Sequence, residues 1–316
     1  MSKILHKKWI PYMLAVLFVL ALHVTVPNFG TLSNYKNILV QSCYIIIPAV
    51  ALTFVMVSGG IDLALGGMMS LSGVLSAILI NSGAPVFLAL PLMVLIGCVL
   101  GASSGYLIAK VGFPAFICSY TFGEIMSGFA LLTSGGSAVR VNNTAFLGIA
   151  TSTFLGIPSI IYITVLLAAV GIVVSLKTPL GNRIYALGGN ATVIRQEGIN
   201  ITKLHMFIYA YSGVYAAIAG FFLSARLGSG SPVQGQDYTL NCVAACILGG
   251  VSPYGGVGKV GATVVGALVI GTLRNILNLL RVNAYMQNVF LGLIMIVIVA
   301  FTVYYRKKSE KALRRY

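Results

Sequence analysis

Apolar runs of about 18–22 residues follow one another along nearly the whole chain, and their length is what a helix needs to cross the hydrocarbon of a bilayer. They lie near 9–27, 38–57, 63–80, 86–109, 114–133, 157–176, 205–225, 239–252, 260–280 and 284–304. A membrane β-barrel would instead show alternating segments of roughly ten residues. Charge completes the exclusion. Only 8 % of residues are Asp, Glu, Lys or Arg, against roughly a quarter in soluble domains, too few to coat a water-facing surface. The sequence therefore specifies an all-α polytopic membrane protein with about ten transmembrane helices, a single transmembrane domain over 1–316.

The scarce charge is lopsided: 20 Lys+Arg against 5 Asp+Glu give +15. Lys3, Lys7 and Lys8 precede the first run, and Lys177, Arg183, Arg195 and Lys203 fall in the long polar stretch 177–203. Arg306, Lys307, Lys308, Lys311, Arg314 and Arg315 mark a basic tail at 305–316. Cations clustered beside apolar spans read as cytoplasmic anchors on an inner membrane, not as a nucleic-acid face. Placing start, loop and tail in the cytoplasm requires an even number of spans on each side of the loop, and the runs supply six and four. Lys110 and Lys259 then also face inward, and 134–156 outward. The first run ends in His23–Pro27 with no small-x-small cleavage site, so it reads as a retained span.

Two runs are broken by glycine. The second contains Pro48 and ends in Ser58-Gly59-Gly60-Ile61-Asp62, and the eighth ends in Leu248-Gly249-Gly250-Val251-Ser252. A second Gly pair follows each (Gly66-Gly67 and Gly255-Gly256), then a helix rich in small residues. Corresponding breaks in two halves point to an internal repeat and a central site. Close helix packing is the alternative, and it accounts for most of the 36 glycines.

Catalytic machinery is missing from the pattern. The three His are far apart, and no metalloprotease or nucleophile-elbow motif occurs. Cys242 and Cys246 share a helix face without nearby ligands, which reads as core and not metal. Gly256-x-Gly258-x-x-Gly261 lacks a βαβ unit around it, and Gly258-Lys259 is followed by Val260 where a phosphate-binding loop needs Ser or Thr. No catalytic residue, metal or cofactor is expected in this chain.

Ionisable residues within the apolar region are Asp62, Glu124, Arg274 and, near a span end, Arg226. Asp62 follows the first break, so its carboxylate can cap the next helix, or it can carry charge in a path. Glu124 reads either as a pore group or as a partner of Arg274. Amides and aromatics within the runs suit a neutral polyhydroxylated solute, through hydrogen bonds and stacking, although interhelical hydrogen bonding explains amides equally. The expected path set is Gln41, Tyr44, Phe54, Gly59, Asp62, Phe116, Phe122, Asn241 and Asn275. The 177–203 stretch should hold a short amphipathic helix over 180–187, with Pro179 near its start and Gly188-Gly189 at its end. A second short helix over 190–197 would begin at Asn190 as its cap. Such order exceeds what a linker needs and fits a docking element for a cytoplasmic partner.

Four segments in order, SGGIDLALG (58–66), TPLGNRIYALGGNATVIRQEGIN (178–200), ILGGVSPYGG (247–256) and LRNILNLLRV (273–282), resemble the permease subunits of ribose-type sugar ABC importers. The resemblance implies a bacterial inner-membrane permease, in a homo- or heterodimer with a second permease copy, that rides on separate ATP-binding subunits. It also implies a periplasmic or lipid-anchored solute-binding protein that delivers substrate, with ATP used only by the partner. The 178–197 stretch would be the coupling segment, with Gly181, Arg183, Ala186, Gly188, Asn190 and Ala191 as its contact with the ATPase. Where that family shows Glu-Leu-Asp, this chain has Thr239-Leu240-Asn241. Relatives of this fold also move nucleosides and branched-chain amino acids. The competing reading is a stand-alone carrier coupled to H⁺ or Na⁺, with Asp62 and Glu124 as its ion site.

Overall fold

A computed structural model describes residues 26–300, apart from 284, 295, 298 and 299. Nearly all of the expected first span, the basic start and the 305–316 tail lie outside the described residues. In chain order the helices are α1 (Leu32–Val57), α2 (Leu65–Asn81), α3 (Val86–Tyr106, extended by a wider turn at Leu107–Val111), α4 (Ala115–Ser134) and α5 (Thr144–Thr151). They continue with α6 (Ser159–Lys177), α7 (Pro179–Gly189), α8 (Ala191–Gln196), α9 (Ile201–Leu227), α10 (Gln236–Leu248), α11 (Val260–Leu279) and α12 (Tyr285–Ile294). Each expected span between 38 and 280 coincides with one of these. Six are long and apolar enough to cross a bilayer: α1, α3, α4, α6, α9 and α11. At 13 residues α10 extends only about 20 Å, well short of the roughly 30 Å hydrocarbon core, because Gly249-Gly250 end it early.

The 134–156 connection, expected as an outward loop, is built. Asn143 accepts the Phe146 N–H at 3.0 Å to start α5, and Phe146 is buried edge-on against Phe221 at 5.3 Å. Two tiny antiparallel ladders pin it: β1 (Val139–Arg140) on β4 (Ser229–Gly230), and β2 (Thr153–Phe154) on β3 (Ile157–Pro158).

The chain forms two compact units. One comprises the described residues up to Gln41 and from Gly271 onward. There Asn34 and Asn275 are buried and exchange amide hydrogen bonds at 3.0 and 2.9 Å, while Asn34 Nδ2 also donates to the Phe29 carbonyl. Val26, Phe29, Ile38 and Ile276 pack beside that pair. Asn275 is thereby held by a structural partner, and Gln41 is half-buried in the same unit.

The other unit is Ser42–Ile270. Every residue of Ser42–Ser58 is buried, as expected of a stretch hydrophobic all round. Helices α3, α4 and α6 instead present large apolar side chains outward, among them Phe87, Leu95, Ile117, Leu132, Val165 and Leu166. Such a surface is tolerated by lipid, not by water. In lipid, apolar burial between helices gains little, so association depends on how closely backbones approach. Gly97, Gly101 and Gly105, one turn apart on α3, lie against the backbone of α9. A Cβ on Gly97 would overlap the Gly213 carbonyl, and one on Gly105 would sit 2.6 Å from the His205 carbonyl. Interhelical polar contacts supplement this: Thr53 and Thr263 hydroxyls meet at 2.8 Å, and the Cys242 and Cys246 thiols point at the Ile45 and Ala49 carbonyls.

Candidate coupling junction and solute groove

Helix α7 starts where the sequence places it. The Thr178 hydroxyl accepts the Gly181 N–H at 3.2 Å, and Pro179 occupies the first helical position, where no donor is needed. The Asn190 side chain accepts the Thr192 N–H at 2.9 Å and starts α8. Gly181, Ile184 and Leu187 are buried, whereas Asn182, Arg183, Ala186, Asn190 and Ala191 are exposed. The six residues expected to touch a partner thus divide. Arg183, Ala186, Asn190 and Ala191 lie on the free face, but Gly181 and Gly188 turn inward. A Cβ on Gly181 would lie 2.5 Å from the Ser175 carbonyl.

Gly188 sits at a three-way meeting of backbone. Helices α1 and α10 end in the same hydrogen-bond pattern: Gly60 N–H to Val55 O and Gly59 N–H to Met56 O in one, Val251 N–H to Cys246 O and Gly250 N–H to Ile247 O in the other. Gly59 (φ +87°) and Gly250 (φ +77°) adopt the left-handed conformation this cap requires. The remaining α1 carbonyl, Val57 O, accepts the Gly256 N–H at 2.8 Å. A Cβ on Gly255 would lie 2.9 Å from Gly59 Cα, and one on Gly188 would overlap Val57 O and approach Gly256 N at 2.6 Å. The Tyr185 hydroxyl reaches Gly258 O and Ser175 Oγ, each at 2.9 Å. The end of α1, the Gly255-Gly256 turn that follows α10, and α7 therefore touch at one point.

From that point the chain runs through 60–64 to α2. Tyr209 and Ser119 hydroxyls donate to Ile61 O, both at 3.2 Å. Asp62 is buried: one carboxylate oxygen accepts the Ala64 N–H at 2.9 Å and the other the Ser212 hydroxyl at 2.6 Å. The carboxylate thus holds the turn that leads into α2, whose N-cap position is Ala64 without a side-chain cap bond, and not the helix end itself. The bond to α9 was not legible, because nothing in the sequence pairs Asp62 with a serine 150 residues away.

The far end of this segment opens on a cavity of about 430 Å³ between the start of α2 (Leu63, Gly66, Gly67), α4 (Tyr120, Gly123, Glu124, Ser127) and the start of α10 (Gln236, Thr239, Leu240). Thr239 Oγ1 accepts the Gly66 N–H at 2.9 Å and ties α10 to α2. None of the nine expected path residues lines this cavity. Phe116 borders it through a parallel stack on Tyr120, with centroids 6.5 Å apart and planes at 9°. Tyr44 is fully buried with Arg226 over its ring at 5.6 Å, and Phe54 is buried edge-on to Tyr211 at 5.3 Å. Gly59 belongs to the junction, Phe122 is half-buried on another face of α4, and Asn241 is buried with its amide on the Asp237 carbonyl. Phe116, Tyr120 and Glu124 recur every four residues, a spacing that marks one helix face, and that signal points to the cavity. Among the described residues no group of three His, Cys, Asp or Glu side chains could hold a metal ion.

Residues 34–299 match the family described as branched-chain amino acid transport system / permease component. The ribose import permease of Haemophilus influenzae is 38% identical over 277 residues, 86% of each chain. The ribose import permease of Bacillus subtilis is 37% identical over 298 residues, 93% of this chain and 91% of the relative. The chain belongs to the ABC importer permease family. A third member, the L-arabinose transport system permease of Escherichia coli, is 32% identical over 296 residues, 94% of this chain and 90% of the relative. No solved structure matches. As an ABC permease the chain is a multi-pass membrane protein whose relatives are transport subunits, and such permeases work with an ATPase and a solute-binding protein.

Proposed function

We propose that this chain is the bacterial inner-membrane permease of a monosaccharide importer, passing a neutral sugar such as ribose between two permease copies. The relatives named for ribose and L-arabinose support the substrate class. A cytoplasmic ATP-binding subunit engages Arg183, Ala186, Asn190 and Ala191 on the free face of α7 and α8. A periplasmic or lipid-anchored binding protein supplies solute from the other side.

One observation carries the mechanism: Gly188 of α7 rests on the backbone of Val57, at the end of α1, and of Gly256, in the glycine pair after α10. A push on α7 reaches Val57 and Gly256 with no side chain between to absorb it. The 60–64 segment, held by Asp62 and Ile61 to α9, passes the displacement to the start of α2, where the cavity lies. Gly59 and Asp62 act in this relay, while Phe116 borders the passage. Tyr44, Phe54, Phe122 and Asn241 keep their helices in place.

Gentle extraction of the tagged chain from its native membrane tests the assembly. A co-purifying polypeptide with a Walker A motif is the expected outcome, and a chain that emerges alone contradicts it.

A further inference from the structure

Glu124 occupies the tenth of the 20 positions of α4, about 14 Å from either end. It is exposed, and its carboxylate makes no hydrogen bond or ion pair among the described residues. A carboxylate facing hydrocarbon at mid-depth costs several kcal/mol, so the surface it opens on must be wet or covered by protein. The same helix separates its faces. Phe116, Tyr120, Glu124 and Ser127 fall within about 80° of arc, whereas Ile117, Ile125, Phe129 and Leu132 occupy another exposed sector.

We propose that the cavity beside Glu124 is this copy's wall of the solute passage, and that Glu124 is its specificity-determining residue, accepting hydrogen bonds from a pair of neighbouring hydroxyls on a neutral solute. This rests on the permease reading and names how the path selects its cargo. The argument is one of donors and acceptors. An ionised carboxylate only accepts, so it demands a ligand rich in O–H groups. Tyr120, Ser127, Thr239 and Gln236 supply both donors and acceptors around it, and the Phe116–Tyr120 stack offers an apolar face for C–H groups. Among the described residues no cationic side chain lines the cavity, so none of them there neutralises the carboxylate of an amino acid or another anion. The volume, about 430 Å³, accommodates a monosaccharide with its residual water.

Two readouts test this in the complete importer. In a chain whose five cysteines are replaced by alanine or serine, Glu124→Cys should react with a charged methanethiosulfonate reagent, and millimolar D-ribose should slow that reaction at least fivefold. Leu132→Cys, on the apolar sector, should stay unmodified. In labelled-ribose uptake, Glu124→Gln should lose at least tenfold while membrane level and ATPase association persist, and Glu124→Asp should recover part of the loss. An unreactive Glu124→Cys, or wild-type uptake by Glu124→Ala, overturns the passage or the role of the charge. Protection by L-leucine or an alkyl amine instead of sugar overturns the solute class. Loss of ATPase association in the wild-type chain sinks the permease reading itself, and that outcome is read separately.

Discussion

Gly188 lies against the carbonyl of Val57, the last residue of α1, so closely that a Cβ there would overlap the oxygen. This contact joins α7 to the end of α1, where every residue of Ser42–Ser58 is buried.

Gly188→Leu should therefore uncouple. The branched side chain must push α7 off the junction, a backbone clash that costs more than the roughly 1–3 kcal/mol of ordinary overpacking. Solute uptake should fall at least tenfold with the protein still inserted, measured by labelled-sugar uptake normalised to membrane level. Arg183→Ala, on the free face, should weaken ATPase association in pull-down without lowering thermal stability.

Asp62→Asn should keep most transport, since the asparagine oxygen still accepts the Ala64 N–H while its Nδ2 can donate to the Ser212 hydroxyl oxygen. Asp62→Ala leaves two buried donors unsatisfied, at about 1–3 kcal/mol each. Its melting temperature in detergent should drop clearly below that of the Asn variant. Full loss of uptake in Asp62→Asn at normal stability would assign the charge a direct role.

The α3–α9 crossing should tolerate less than any interhelical hydrogen bond. Gly97→Leu meets the Gly213 backbone and should sharply lower the yield of monodisperse protein. Thr53→Val removes the bond to Thr263, worth about 0.6 kcal/mol in a membrane protein, and should shift the melting temperature only slightly. Size-exclusion profiles after heating compare the two.

Much of this architecture was legible in the sequence because lipid simplifies the code. Run length located the helices, and local chemistry at Pro179, Gly188-Gly189 and Asn190 located the α7–α8 pair. Glycine breaks were recognisable too, since a left-handed cap at Gly59 has few alternatives. What escaped was whatever depends on partners distant in sequence. The Asp62–Ser212 bond, the burial of Tyr44 and the seating of Gly188 on Gly256 arise from the crossing of helices, which no local pattern encodes. The cavity beside Tyr120 and Glu124 was not singled out for a different reason. Candidate residues were gathered by residue type, and helical phase, which separates Tyr120 and Glu124 from Phe122, was not applied.

The most direct measurement places the purified assembly in liposomes with its binding protein outside and follows labelled ribose. With ATP enclosed, the account predicts accumulation, abolished by a non-hydrolysable analogue and by Gly188→Leu. Uptake by the chain alone, driven by a H⁺ or Na⁺ gradient without ATP, would contradict it.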